Sequence, residues 1–343
     1  MKKKPRVILI ILGIFVFLFC CYILVGTPSQ AKEIAWGVNF SQKHAKNLGL
    51  DWKEAYLALL DDLKIRNFKI PTHWDLIEPA NGEYNFEDLD FQIGEAENRG
   101  AKILLVIGMK TGRWPECHIP GWAKNLSKEE QQKEILELIE KTVLRYRDRV
   151  SVKMWQIENE PFFPFGECPW VDKDFVKEEI EKVKSLDSQK RNIVISDSGE
   201  GSLWITAAQI GDVVGTTLYK KVWFSFSWEK RMFPFLPQKF GFYVYYPLPP
   251  MFYWRKAQII QKFFQKKVIC VEMQAEPWCP VLLYDCPLAE QEKTMTPEQL
   301  KYNLEFAQKT GFDEFYLWGA EWWYWMKGIQ QKPEIWEEVK KLF

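Results

Sequence analysis

Apolar positions along this chain follow two alternating rhythms. Short, nearly unbroken apolar runs occupy residues 34–40, 68–71, 102–107, 150–157, 192–196, 213–218, 268–271 and 314–318. Runs of that length bounded by turn residues predict strands buried on both faces. Between them the apolar spacing changes to that of amphipathic helices. Residues 51–63 place Trp52, Ala55, Leu57, Leu59, Leu60 and Leu63 on such a pattern. Further helices are predicted at 86–100, 171–186, 202–210, 252–265 and 333–342. Ser127 with Glu130, and Thr296 with Gln299, have the capping-box spacing; the first opens a helix with Ile135, Leu138, Ile139, Val143 and Tyr146 on one face, and the second opens one running to Gly311. Eight such strand–helix units predict an α/β fold, a single (β/α)8 TIM barrel. Residues 220–250 are too long and too aromatic for an ordinary connection, which marks them as functional.

The first 32 residues stand apart from this rhythm. Lys2, Lys3, Lys4 and Arg6 precede an uncharged apolar run of 19 residues, 7–25. That run spans a hydrocarbon layer of about 30 Å and exceeds the roughly 7–15 residues of a signal-peptide core. Leading basic residues favour an inside amino terminus and an extracytoplasmic remainder. Ser29-Gln30-Ala31 offers a small-x-small cleavage site, so secretion remains the alternative to a membrane anchor. Residues 1–32 are thus an anchor or signal segment, and residues 33–343 form the barrel domain.

Charge and composition remove several classes of function. The 46 basic and 46 acidic residues balance, which argues against nucleic acid as a partner. His44, His73 and His118 are the only histidines and show no paired spacing, so no metal is expected. No glycine-rich phosphate loop is present, and no cofactor is expected. The cysteines outside the apolar run admit two readings. Cys117 with Cys168, and Cys279 with Cys286, can form bridges in an oxidising compartment, or all five, with Cys270, are free thiols.

Chemistry concentrates where strands end. Met154 to Pro161 reads MWQIENEP and Val268 to Trp278 reads VICVEMQAEPW, which put Glu160 and Glu272 at the C-terminal ends of the fourth and seventh strands. The C-terminal rim is where barrel enzymes carry their catalytic groups. Two carboxyl groups across such a mouth can cleave a glycosidic bond with retention if they stand about 5–5.5 Å apart. Glu276 competes with Glu272 but lies beyond the expected strand end, and Glu158 is expected to be a structural carboxylate rather than a catalyst. Asn159 would hold a sugar hydroxyl near the reacting carbon, and Tyr219 would donate to the attacking carboxylate. Flat rings suit the C–H faces of pyranoses, so Trp74, Trp114, Trp278 and Trp318, all at strand ends, are candidates to bind a carbohydrate substrate.

These motifs resemble clan A glycoside hydrolases over essentially the whole chain after residue 33. They comprise Asn159-Glu160-Pro161, Glu272, Tyr219, Trp318 and the segment WDLIEPANGEYNFEDLD, which is similar to the second-strand loop of family 5 cellulase-like enzymes. The resemblance implies Glu160 as acid/base, Glu272 as nucleophile, Trp318 as the floor of a sugar subsite, and a retaining glycosidase acting on a β-linked glycan. It departs at Lys69, where clan members carry an arginine paired with the nucleophile; His73 or Arg113 could compensate. A glycan-binding barrel of weak activity and a transglycosylase using the same carboxylates are the alternatives.

Overall fold

The structure is a computed structural model, and it describes residues 13–14, 17–19, 21–227 and 239–343. Eight strands close into a parallel barrel: β1 (Ala35–Asn39), β2 (Asn67–Pro71), β3 (Lys102–Ile107), β4 (Val152–Ile157), β5 (Ile193–Asp197), β6 (Val213–Leu218), β9 (Lys267–Gln274) and β10 (Glu314–Trp318). Around the ring β1 pairs with both β2 and β10, while β9 lies between β6 and β10. The outer layer includes α1 (Trp52–Asp61), α2 (Glu87–Asn98), α3 (Lys128–Tyr146), α4 (Lys173–Leu186), α5 (Ile205–Ile210), α6 (Pro250–Phe264), α7 (Pro297–Gln308) and α8 (Glu334–Val339).

The continuous apolar runs are explained by burial on two sides. Leu104, Met154, Val194, Val213, Ile269, Val271 and Tyr316 fill the barrel interior as one cluster. The alternate residues, such as Ile103, Ile157, Ile195 and Cys270, face the helices in a second and larger cluster. Two residues further along β4 and β5 the interior turns polar at Gln156 and Ser196, and β2 contributes Lys69; all three are buried. That polar layer is the floor of the site.

Helix starts obey local chemistry with one difference. Ser127 and Glu130 form a complete capping box on α3. At α7, Thr296 accepts from the Gln299 amide N–H, but the Gln299 side chain turns to Asn303 instead of back to the cap, because the residue one turn on offers a partner.

The segment 220–250 contains an antiparallel ribbon that its aromatic composition did not disclose: β7 (Lys221–Ser227) pairs with β8 (Lys239–Tyr245). The Trp223 ring lies across Gly241, where an added Cβ would come within 2.2 Å of Cζ2. Tyr243 bonds Glu290 and the Tyr245 hydroxyl meets that of Tyr302 at 2.7 Å, so this ribbon face rests on the barrel's helices. Residues 7–12, 15–16 and 20 of the apolar run lie outside the described residues. Among the described residues no helix is long and apolar enough to cross a membrane.

Cys117 is bonded to Cys168 and Cys279 to Cys286, while Cys270 is a buried thiol. The first bridge joins the loops that leave β3 and β4, the two strands beside the site.

Candidate active site

Glu272 reaches the barrel mouth because β9 is irregular. Cys270 pairs with Thr216 and Phe315, yet the next partners are Glu272 with Thr217 and Met273 with Leu317. Val271 is therefore a bulge, and the extra residue turns the following side chain inward. Without it, alternation would send Glu272 toward the helices. The carboxylate accepts from Lys69 Nζ at 2.8 Å on Oε1 and from the Tyr219 hydroxyl at 3.0 Å on Oε2. An ammonium and a phenol, one for each oxygen, are donors suited to an anionic carboxylate.

Lys69 is thus the direct partner of Glu272, and the same Nζ donates to Asn159 Oδ1 at 3.0 Å. Neither residue expected to compensate for the missing arginine does so. Arg113 pairs with Glu276 and, at 2.7 Å, with Glu321, and its guanidinium carbon lies 3.9 Å from the centre of the Trp318 ring. His73 contacts Ser41 and Thr111, and burial lowers its pKa well below the usual value.

Glu160 sits across the mouth from Glu272, with β5 and β6 between their strands. The chain turns sharply to deliver it: Glu158 and Glu160 both have left-handed backbones, at φ 56° and 43°. Such conformations in non-glycine residues cost about 1–3 kcal/mol and need external restraint. Here the restraint is visible. The Glu160 amide donates to Ser196 Oγ at 2.8 Å, and Lys110 Nζ donates to the carbonyls of Glu160 and Phe163 at 3.0 and 2.8 Å. Glu158 points the other way and accepts from the amides of Met109 and Lys110 at 2.7 and 2.6 Å. Beneath it lies Glu179; burial raises Glu158 to about 7 and Glu179 well above the carboxylate range.

The Glu160 carboxyl differs in kind from that of Glu272. Among the described residues no donor reaches its oxygens. Burial raises its pKa well above the ordinary value, and the charges of Glu272 and Glu116 raise it further. One carboxyl is held by donors and the other is left bare and biased toward its protonated form. That is the division of labour a nucleophile and a general acid need.

The aromatic candidates fare unequally. Trp114 is exposed, and Trp278 lies edge-on to Tyr219 with ring centres 5.1 Å apart, at the rim. Trp318 has one ring face covered by Arg113. Trp74 is a correction: it is fully buried, donates to Glu78 at 2.8 Å and packs edge-on against Trp122. It begins a short helix, and that turn buries its ring. Glu276 is held in the Arg113 ion pair.

Two site carboxylates escaped the sequence reading. Glu116, in the β3 loop, accepts from Asn159 Nδ2 at 3.3 Å, and burial lifts its pKa to about 7. Glu200, in the β5 loop, accepts from the Tyr219 amide and the Tyr253 hydroxyl at 2.8 and 2.9 Å. Each lies several residues beyond its strand end, so strand-end position could not mark them.

A closed parallel barrel with unlike carboxyl groups on its C-terminal rim is an architecture that many enzymes share. No family model matches the sequence. The chain is similar in structure to GH5_18 from Streptomyces cattleya, solved in complex with GlcNAc: TM-score 0.55, 14% identity, covering 84% of this chain and 70% of that one. It is similar to xylanase 10B from Thermotoga petrophila RKU-1, in complex with xylobiose, at TM-score 0.53 and 14% identity, covering 92% and 99%. A β-galactosidase from Rahnella sp. R3 gives TM-score 0.55 and 12% identity, with 86% of this chain matched to 52% of that one. At these identities the likeness establishes the shared barrel fold.

Proposed function

We propose that the protein is a retaining glycoside hydrolase acting on a β-linked glycan, with Glu272 as nucleophile and Glu160 as acid/base. The observation that carries this reading is the unequal treatment of the two carboxyl groups: Lys69 and Tyr219 hold Glu272, while among the described residues no donor reaches the Glu160 carboxyl, whose pKa is raised.

In the first step a Glu272 oxygen attacks the anomeric carbon and the bond to the leaving oxygen breaks. That oxygen takes the Glu160 proton, which leaves a glycosyl ester and a Glu160 carboxylate. In the second step Glu160 takes a proton from water, the water oxygen attacks the same carbon, and the ester bond breaks to restore Glu272. Asn159, fixed by Lys69 and by Gln156 Nε2 at 3.2 Å, is placed to bond a hydroxyl beside the reacting carbon. Trp278 and the uncovered face of Trp318 are offered to sugar rings. The work is done outside the cytoplasm, with residues 1–32 as tether or cleaved leader; two disulfides near the mouth support an oxidising location.

The test is turnover of aryl β-glycosides by the parent chain and by Glu272→Gln and Glu160→Gln. Loss of activity in Glu272→Gln and a β-configured first product are expected. In Glu160→Gln, substrates with acidic phenol leaving groups should survive best. Unchanged turnover in Glu272→Gln, or an α-configured first product, refutes the assignment.

A further inference from the structure

The carboxyl group of Glu116 has no part in the two-step reaction, yet it lies in the same site. It is 6% exposed and held by an unusual loop. Its backbone is left-handed at φ 74°, its carbonyl accepts from the Thr111 amide at 3.1 Å, and the next residue is anchored by the Cys117–Cys168 bridge. Gly166 lets the loops close: a Cβ there would lie 2.5 Å from the Glu116 Cβ. One oxygen, Oε2, meets Asn159 Nδ2, and among the described residues the other has no donor.

A carboxyl group in this place is electrostatically expensive. It repels Glu160 and Glu272, and it needs a compensating donor. Four carboxyl groups, Glu116, Glu160, Glu200 and Glu272, share the neighbourhood with the ammonium groups of Lys69 and Lys110. Arg113 adds no compensation, being engaged by Glu276 and Glu321. The Glu116 oxygen without a donor suits a cationic guest and repels an acidic sugar.

We infer, resting on the glycosidase reading, that Glu116 is a specificity-determining residue that receives a positively charged amino group carried by the sugar beside Asn159, so that the preferred substrate class is a β-linked 2-amino-2-deoxy sugar with a free amine. The substituent at the carbon next to the anomeric centre is the one whose hydrogen bonds strengthen in the transition state. Asn159 stands beside the acid to meet it, and Glu116 is hydrogen-bonded to Asn159 Nδ2 at 3.3 Å, with its other oxygen free of donors among the described residues. An ammonium at that substituent gains a charge-assisted bond that a hydroxyl cannot match, and an N-acetyl group loses it.

The experiment compares aryl β-D-glucosaminide, β-D-glucoside and N-acetyl-β-D-glucosaminide as substrates of the full chain and of Glu116→Gln. Calorimetric titration of glucosamine and glucose accompanies it, with thermal unfolding as the folding control. The parent chain should favour the free amine over the neutral sugar by about tenfold or more in kcat/KM, the worth of one charged hydrogen bond. Glu116→Gln should abolish that ratio. Selective binding of glucosamine, lost in Glu116→Gln, without turnover of any glycoside supports this inference and defeats the hydrolase reading. Turnover without amine preference, or a preference that survives in Glu116→Gln, overturns the inference and leaves the hydrolase reading standing. Should Glu116→Gln fail to fold, Gly166→Ala, which crowds Glu116, should weaken the same preference; an unchanged ratio there also overturns it.

Discussion

Removing the ammonium of Lys69 should be among the most damaging single changes in this barrel. The Lys69 and Glu272 side chains are 2% and 4% exposed, and their charged atoms are 2.8 Å apart. At an effective dielectric constant near 20, that separation corresponds to about 6 kcal/mol of attraction. Desolvation of both groups cancels much of it, so the intact pair adds little net stability. Lys69→Met is different, because it leaves Glu272 charged in the dry mouth with the Tyr219 hydroxyl alone. Stranding one member of a buried pair costs about 3–5 kcal/mol. At about 2 °C per kcal/mol for a domain of this size, the melting temperature should fall by about 6–10 °C. Thermal unfolding of the parent, Lys69→Met, Glu272→Gln and the double variant completes a mutant cycle. The double variant should be more stable than Lys69→Met, with a coupling above about 2 kcal/mol, as neighbours in one network show. If Lys69→Met melts within about 1 °C of the parent and the cycle closes additively within about 0.5 kcal/mol, Lys69 does not hold Glu272 and the description of the mouth is wrong.

Two further outcomes follow from the loops around Glu160. Glu158 and Glu179 are acids raised by folding, so their stability contribution is complete below the unfolded value of about 4.3 and is lost as pH rises toward and through about 7 for Glu158 and higher for Glu179. Thermal unfolding between pH 5 and pH 9 should therefore show an alkaline decline that Glu179→Gln makes shallower; an equal slope in the variant removes the pair from that account. The Cys117–Cys168 bridge closes 51 residues against 7 for Cys279–Cys286, so losing them should cost about 4 and about 2 kcal/mol respectively on chain-entropy grounds. Urea unfolding of Cys117→Ser and Cys279→Ser tests the order, and a reversed order refutes it.

The barrel was legible because its strands are buried on both faces. A strand such as Lys102–Ile107 must be apolar at nearly every position, which leaves a run that no amphipathic helix mimics. Glu160 was legible for a related reason: a carboxylate that ends such a run has only the rim to occupy. The ribbon of β7 and β8 was not, since aromatic residues with little alternation of polarity do not declare a partner strand.

What the sequence determined by itself is thus the eight strands and their alternation with helices, the acidic strand ends and the spacing of the bridging cysteines, all consequences of local period and position. Tertiary structure alone decided which side chains meet. The bulge at Val271 exists only in the ladders with β6 and β10, and it alone turns Glu272 toward Lys69 and Tyr219. Trp74 follows a strand as a cleft residue would, yet the turn of a four-residue helix buries it. Glu116 reaches Asn159 because a loop, a bridge and a glycine from different parts of the chain converge there. Period along a chain fixes how each element is built, whereas contacts between elements depend on closure of the ring, which no local pattern encodes.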